Sequence, residues 1–182
     1  MNKFTIIQKL RNKIKTSKNS SISLGNNSKI VKCNIYIKGN NNALTIGNDV
    51  TLRNCTIEIV GDNCSIKIGN NCMIGDNCYL SAKEKNTNIT IGNDCGFSRN
   101  VKLMTSDGHP IFHNEKRINE AKSIYIGDHI WIADNVTVLK NVTIKDGSVI
   151  GINSTVTKNI SANSIAVGNP ARVIKENINW VS

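Results

Sequence analysis

IGDHIWIADNVTVLKNVTIKDGSVIGINSTVTKNIS, residues 126–161, divides without remainder into six hexapeptides: IGDHIW, IADNVT, VLKNVT, IKDGSV, IGINST and VTKNIS. An aliphatic residue opens each one, and a small or β-branched residue stands fifth. The period is too short for an amphipathic helix, and the turn residues are too frequent for long strands. Three short strands joined by tight turns fit it, so that three hexapeptides close one triangular coil.

The same signature returns upstream as LGNNSK, IGNDVT, IGNNCM, IGDNCY and IGNDCG. The opening residues Leu24, Ile46, Ile68 and Ile91 are spaced by 22, 22 and 23, so each early coil carries four or five extra residues, expected at a corner. From Ile91 to Ile126 the step is 35, which loops out about 17 residues. That arm, expected over 104–123, holds TSDGHPIFHNEKR (105–117). In a solenoid each coil touches only its neighbours, so an insertion has to leave through a corner. Such side arms on rigid scaffolds commonly carry function. The asparagines in GNN, GND and KN contexts suit left-handed turns at the corners.

The 182 residues fit one domain with short tails: a basic, helical N-terminal segment over 1–20, the coil array over 21–170 and a C-terminal tail over 171–182. Aromatics make up 4%, so the core is expected to be aliphatic. Net charge is +10, with Lys3, Lys9, Arg11, Lys13, Lys15 and Lys18 near the start and no acid among them. This favours anionic partners. Nucleic acid is not among those expected, because no zinc finger, RNA-binding aromatic signature or basic reading helix is present.

Phe4, Ile7, Leu10 and Ile14 stand at roughly helical spacing opposite a basic face. Two readings fit them: a short helix plugging the open end of the core, or a peripheral contact with an anionic membrane. No signal peptide or spanning segment is expected, which points to the cytoplasm or the inner face of its membrane. Of the six cysteines, Cys33, Cys55, Cys64, Cys72, Cys78 and Cys95, the first two stand one repeat apart and the last three share one position within their repeats. They read as small buried hydrophobes in a reducing compartment rather than as disulfides or a metal set.

The stretches GHPIFHNEKR, IYIGDHIWIADNVTVLKNVTIKDGSVIG and VTKNISANSIAVGNPARVIK together resemble the hexapeptide-repeat acyltransferases, in the branch of sugar and polysaccharide O-acetyltransferases. The resemblance runs from about residue 24 to 175 and implies an all-β fold, the left-handed parallel β-helix. The general rule for parallel crossovers would give the opposite hand. It further implies an acetyl-CoA-dependent transfer with no metal, in a homotrimer whose active sites lie between subunits and whose arm reaches a neighbour.

Moving an acetyl group from a thioester to an alcohol needs a base for the hydroxyl proton, and imidazole suits that near neutral pH. His109 matches the family's catalytic histidine in its GHP motif. Asp107 is open to two readings, a group that orients the ring or meets the acceptor, or a solvated loop carboxylate. The resemblance makes the backbone amide of Asp134 the oxyanion donor. It sets Trp131 beside the cofactor arm, with subunit packing as the plainer alternative. Ala133, Gly151, Ile152 and Thr157 are then expected along the pantetheine groove, and Lys158, Arg172 and Lys175 near the phosphates. Ile152 departs from the small residue usual in the family. His113 is expected as a loop or intersubunit contact, and His129 as structural.

Galactoside- and maltose-type members carry an acceptor-binding asparagine in the coil before the histidine arm. The equivalent stretch here, YLSAKEK, has none. An open acceptor site and the basic N-terminus point to a capsular, lipopolysaccharide or other surface polysaccharide, or its lipid-linked precursor. N-acetylation of an amino-sugar nucleotide and serine O-acetylation are the enzymatic alternatives. Outside acyl transfer stand a carbonic anhydrase-like metal site built from His109, His113 and His129, and a non-catalytic solenoid. No cysteine neighbours His109, so direct transfer in a ternary complex is expected rather than an acyl-enzyme.

Overall fold

A computed structural model describes residues 6–181 as seven stacked coils wound into three parallel sheets. The first face carries strands Lys13–Thr16, Asn34–Lys38, Thr56–Asp62, Tyr79–Lys85, Lys102–Met104, Thr137–Leu139 and Thr155–Val156. Ser21–Leu24, Ala43–Ile46, Ser65–Ile68, Asn88–Ile91, Ile124–Ile126 and Thr143–Ile144 make the second. The third begins at Lys29–Val31 and ends with Ile165–Gly168, against which Ala171–Lys175 folds back antiparallel.

Alternate residues of each strand point inward and stack into columns. On the second face Leu24, Ile46, Ile68, Ile91, Ile126 and Ile144 lie in register across successive strands. On the first face Ile35, Ile57, Leu80, Leu103, Val138 and Val156 do the same. All of these are buried. The opening aliphatic of each hexapeptide is thus the residue that closes the core. Burying each large aliphatic contributes about 1.5–3 kcal/mol. The six cysteines are buried and free, and their thiols donate to backbone carbonyls, as Cys72 does to Gly92 at 3.1 Å.

The corners turn through left-handed residues, nearly all Asn or Asp, with Lys32, Glu84 and His129 the exceptions. Asparagine tolerates that backbone region better than other L-residues do. Gly47 is required for a different reason: a Cβ there would stand 2.5 Å from the carbonyl oxygen of Gly69 in the next coil.

The extra residues of the early coils are not confined to a corner. They also lengthen first-face strands, Thr56–Asp62 and Tyr79–Lys85 reaching seven residues each. Neighbouring coils carry the same extension, so pairing continues through Val60 with Lys83 and Gly61 with Glu84.

The N-terminal helix is shorter than the sequence suggests, Ile6–Arg11. Asn12 ends it. Its buried side chain donates to the carbonyls of Gln8 and Ile30 and accepts the Cys33 N–H at 2.8 Å. Ile14 is therefore in a strand, and Leu10 is 82% exposed, so the expected apolar face is not continuous. Lys3 and Phe4 lie outside the described residues. Among those described, no helix is long and apolar enough to cross a membrane.

Replacing Ile68 of the second-face core column by Ala is expected to cost about 2–5 kcal/mol, measured as a lowered midpoint of urea unfolding against the unaltered chain.

Candidate functional site

The arm leaves after Met104 and returns before Ile124, at the corner between the first and second faces. Buried Thr105 ties its base: its carbonyl accepts the Lys122 N–H at 2.9 Å and its hydroxyl accepts the Lys83 N–H at 2.9 Å. The outer part is a two-stranded hairpin, Phe112–His113 with Lys116–Arg117. Glu84, from the coil beneath, clamps it by accepting from Arg117 at 2.7 Å and from the Ser106 hydroxyl at 2.6 Å. The Arg117 guanidinium, with Ser106, holds the Glu84 carboxyl below its ordinary range.

Asn119 organises the arm from within. It is only 7% exposed. Its amide nitrogen donates to the His109 carbonyl at 2.8 Å and to the Asp107 carboxylate at 2.9 Å, and its oxygen accepts the Ile111 N–H at 2.6 Å. A buried carboxamide in a polar loop is stable only when its groups are satisfied in this way. The backbone at His109 is therefore fixed while the side chain is exposed, and among the described residues no hydrogen bond reaches its ring.

Among the described residues no hydrogen bond joins Asp107 to the His109 ring. Its carboxylate binds the Lys140 ammonium and Asn119, and the Lys140 bond, with Asn119 adding to it, holds the carboxyl below the usual carboxylate range. Lys140 stands at the same corner one coil further on, and it also donates to the Asn119 carbonyl at 3.0 Å. Within one chain Asp107 anchors the arm. Thr157 and Lys158 are exposed at this same corner, a further coil on.

The remaining candidates gather at the next corner, between the third and first faces. There a groove of about 500 Å³ runs beside Trp131, Ala133, Asp134 and Ile152, with Arg53 and Arg99 on its rim. Trp131 is 43% exposed. It pairs across the ladder with Gly96, where an added Cβ would meet nothing within 4 Å, so the indole stands over open space. Asp134 accepts from the Arg99 side chain at 2.6 Å and from the Arg99 N–H at 2.7 Å, which lowers the carboxyl from its ordinary value. Gly151 serves packing instead: a Cβ there would lie 2.6 Å from Cγ1 of Val167 in the last coil. Arg172 and Lys175 are exposed on the terminal strand of the third face.

One chain therefore holds the expected site as two sets, His109 with Thr157 and Lys158 at one corner, and Trp131, Ala133, Asp134 and Ile152 at another. The first face separates them.

The other histidines are accounted for differently. His113 is exposed in the hairpin beside Asn114. His129 sits at the second-to-third corner, its ring stacked on Trp180 with centroids 4.0 Å apart. Its Nε2 meets the Trp180 carbonyl at 2.9 Å, and Trp180 Nε1 donates back to its own carbonyl at 3.2 Å. Trp180 and Trp131 wall a second groove of about 750 Å³. All six thiols are buried: hydrogen bonds with Cys33 and Cys78 push Cys55 far above the ordinary range, as Cys72 does for Cys95, and the same bonds lower Cys33, Cys78 and Cys72.

Sequence reasoning missed Asn119, Lys140, the Glu84–Arg117 pair and Trp180. Only Trp180 carried a signal, as one of two tryptophans in an aromatic-poor chain.

No protein-family model matches the chain. Over 85 residues it is 42% identical to the polysialic acid O-acetyltransferase of Escherichia coli O1:K1 / APEC, a match covering 46% of this chain and only 28% of that protein. Two solved structures are similar over nearly the whole chain. The polysialic acid-specific acetyltransferase NeuO is 34% identical with a TM-score of 0.71, covering 92% of this chain and 89% of that one. The polysialic acid O-acetyltransferase OatWY is 32% identical with a TM-score of 0.80, covering 94% and 88%.

Asn119→Ala is expected to loosen the arm, leaving the Ile111 N–H without its partner at a cost of about 1–3 kcal/mol. Limited proteolysis should then cut within 105–123 sooner than in the unaltered chain. Because the Asp107 and Glu84 carboxyls titrate below their unfolded values, their anchoring is complete above those values and fades as pH falls through the folded ones. Amide exchange across the arm should accelerate at pH below about 4 before the coils respond.

Proposed function

Since the chain belongs to the hexapeptide-repeat acyltransferases, left-handed parallel β-helices, we propose that it transfers acetyl from acetyl-CoA to a sugar hydroxyl of an acidic surface polysaccharide, polysialic acid being the best-supported acceptor. The observation that carries this reading is the similarity over nearly the full chain to two acetyltransferases of that polymer. The net charge of +10 is consistent with a polyanionic acceptor.

In this reading His109 is the general base. It removes the hydroxyl proton as the oxygen attacks the thioester carbonyl, and the Asp134 N–H meets the oxyanion as charge develops there. Collapse breaks the carbon–sulfur bond and leaves the acetyl ester on the sugar. The proton held by His109 goes to the departing thiolate, so no covalent enzyme intermediate and no metal enter the scheme.

Trp131, Ala133 and Ile152 line the donor's pantetheine arm, and Arg172 and Lys175 meet its phosphates. Thr157 and Lys158 stand at the corner of the arm, so they approach the donor from the same copy as His109. Because the two sets of residues occupy different corners, a complete site needs the arm of one copy beside the groove of another. A homotrimer with three such junctions satisfies that requirement by symmetry. The enzyme works in the cytoplasm, where acetyl-CoA is available.

The test is to offer acetyl-CoA with polysialic acid, other capsular and lipopolysaccharide glycans, amino-sugar nucleotides and free serine, and to locate any acetyl group by NMR. An ester on the anionic polymer is expected, with kcat falling about 10²- to 10⁴-fold in His109→Ala. Acetylation of amino-sugar nucleotides or serine alone would overturn the reading.

A further inference from the structure

One corner obeys a capping rule that the groove's own corner follows only once. At the second-to-third corner the backbone N–H of Asn26, Asn48, Asn70, Asn93 and Asp128 is accepted in turn by the Asn or Asp side chain of the next coil, at 2.7–2.9 Å. The last of these spans 18 residues, from Asp128 to Asp146. At the third-to-first corner the rule holds once, where Asp134 caps the Arg99 N–H at 2.7 Å.

It then stops. Eighteen residues beyond Asp134 stands Ile152, which has no acceptor, and among the described residues nothing accepts the Asp134 N–H. The N–H of Ile152 is open for the same reason, since Gly168 follows it, and that of Asp76 faces Arg99. Of these, only Asp134 and Ile152 line the groove. Ile152 itself is 59% exposed, so core packing does not explain an isoleucine there. What needs a reason is the contrast with the neighbouring corner, where the corresponding donor of the same coil is capped.

We propose that Ile152 is a positioning residue, whose non-accepting side chain keeps the Asp134 N–H free to meet an oxyanion in the groove. The inference rests on the acyl-transfer reading. An acceptor at 152 would occupy that N–H in the resting protein, as Asp146 occupies Asp128 one corner away in the same pair of coils. The N–H would then have to break a bond before serving the reaction, whereas a preorganised donor needs no such rearrangement.

The test compares Ile152→Asn with Ile152→Ala. The alanine variant reports what the lost bulk does to donor binding, read mainly in KM for acetyl-CoA. The asparagine variant supplies the missing acceptor and is expected to lose a further 10²-fold or so in kcat, with an unfolding midpoint no lower than that of the alanine variant. Equal kcat in the two would overturn the proposal while leaving the acyl-transfer reading intact, and absence of acetyl-CoA turnover in the unaltered protein would overturn that reading and the proposal with it. Amide exchange decides the structural half without activity. In the unliganded protein the Asp134 N–H should exchange at least about tenfold faster than that of Asp128, and equal protection would contradict an open donor.

Discussion

Everything in this molecule depends on the one-coil translation that superposes each strand on the next. It fixes the parallel ladders, stacks the aliphatic columns and decides which corner residue meets which N–H. A coil length of 18, 22 or 23 residues is tolerated because the residues that open and close each face keep their register while the surplus is absorbed between them. A surplus shared by neighbours lengthens strands. One that belongs to a single coil cannot be paired and becomes the arm.

The scaffold explains why the arm is ordered without a core of its own. Thr105, Glu84 and Lys140 are contributed by three successive levels of the same corner, and Asn119 gathers the loop onto them. The result fixes the backbone of one histidine while leaving its imidazole open. Individually exposed ion pairs contribute little, but here they are joined through a buried carboxamide. The groove at the neighbouring corner is likewise a product of the coils, since Gly96 leaves the space that Trp131 overhangs.

Much of the fold was readable because its pattern is local. The hexapeptide register gave the core column from Leu24 to Ile144, the long step from Ile91 located the arm, and the corner asparagines carry the left-handed backbone. What escaped reading is contact across coils. Asp107 and Lys140 are 33 residues apart, and Glu84 and Arg117 likewise 33, so their pairing follows only once the coil offsets are known. The buried role of Asn119 was hidden because a carboxamide in a polar loop looks the same whether solvated or enclosed. The terminal strand and Trp180 lie past the last hexapeptide, where the repeat gives no guidance. The N-terminal helix was overextended because apolar spacing cannot reveal that Asn12 turns the chain into a strand.

The central claim is that arm and groove act together across two copies. It can be tested by mixing two inactive proteins, His109→Ala and a groove-blocked Trp131→Glu, under conditions that exchange subunits. With randomly mixed trimers, junctions pairing an intact histidine with an intact groove make up about a quarter of all sites, and activity near a quarter of that of the unaltered enzyme is the predicted result. No recovery above either parent, with subunit exchange verified by mass spectrometry, would contradict a site shared between copies.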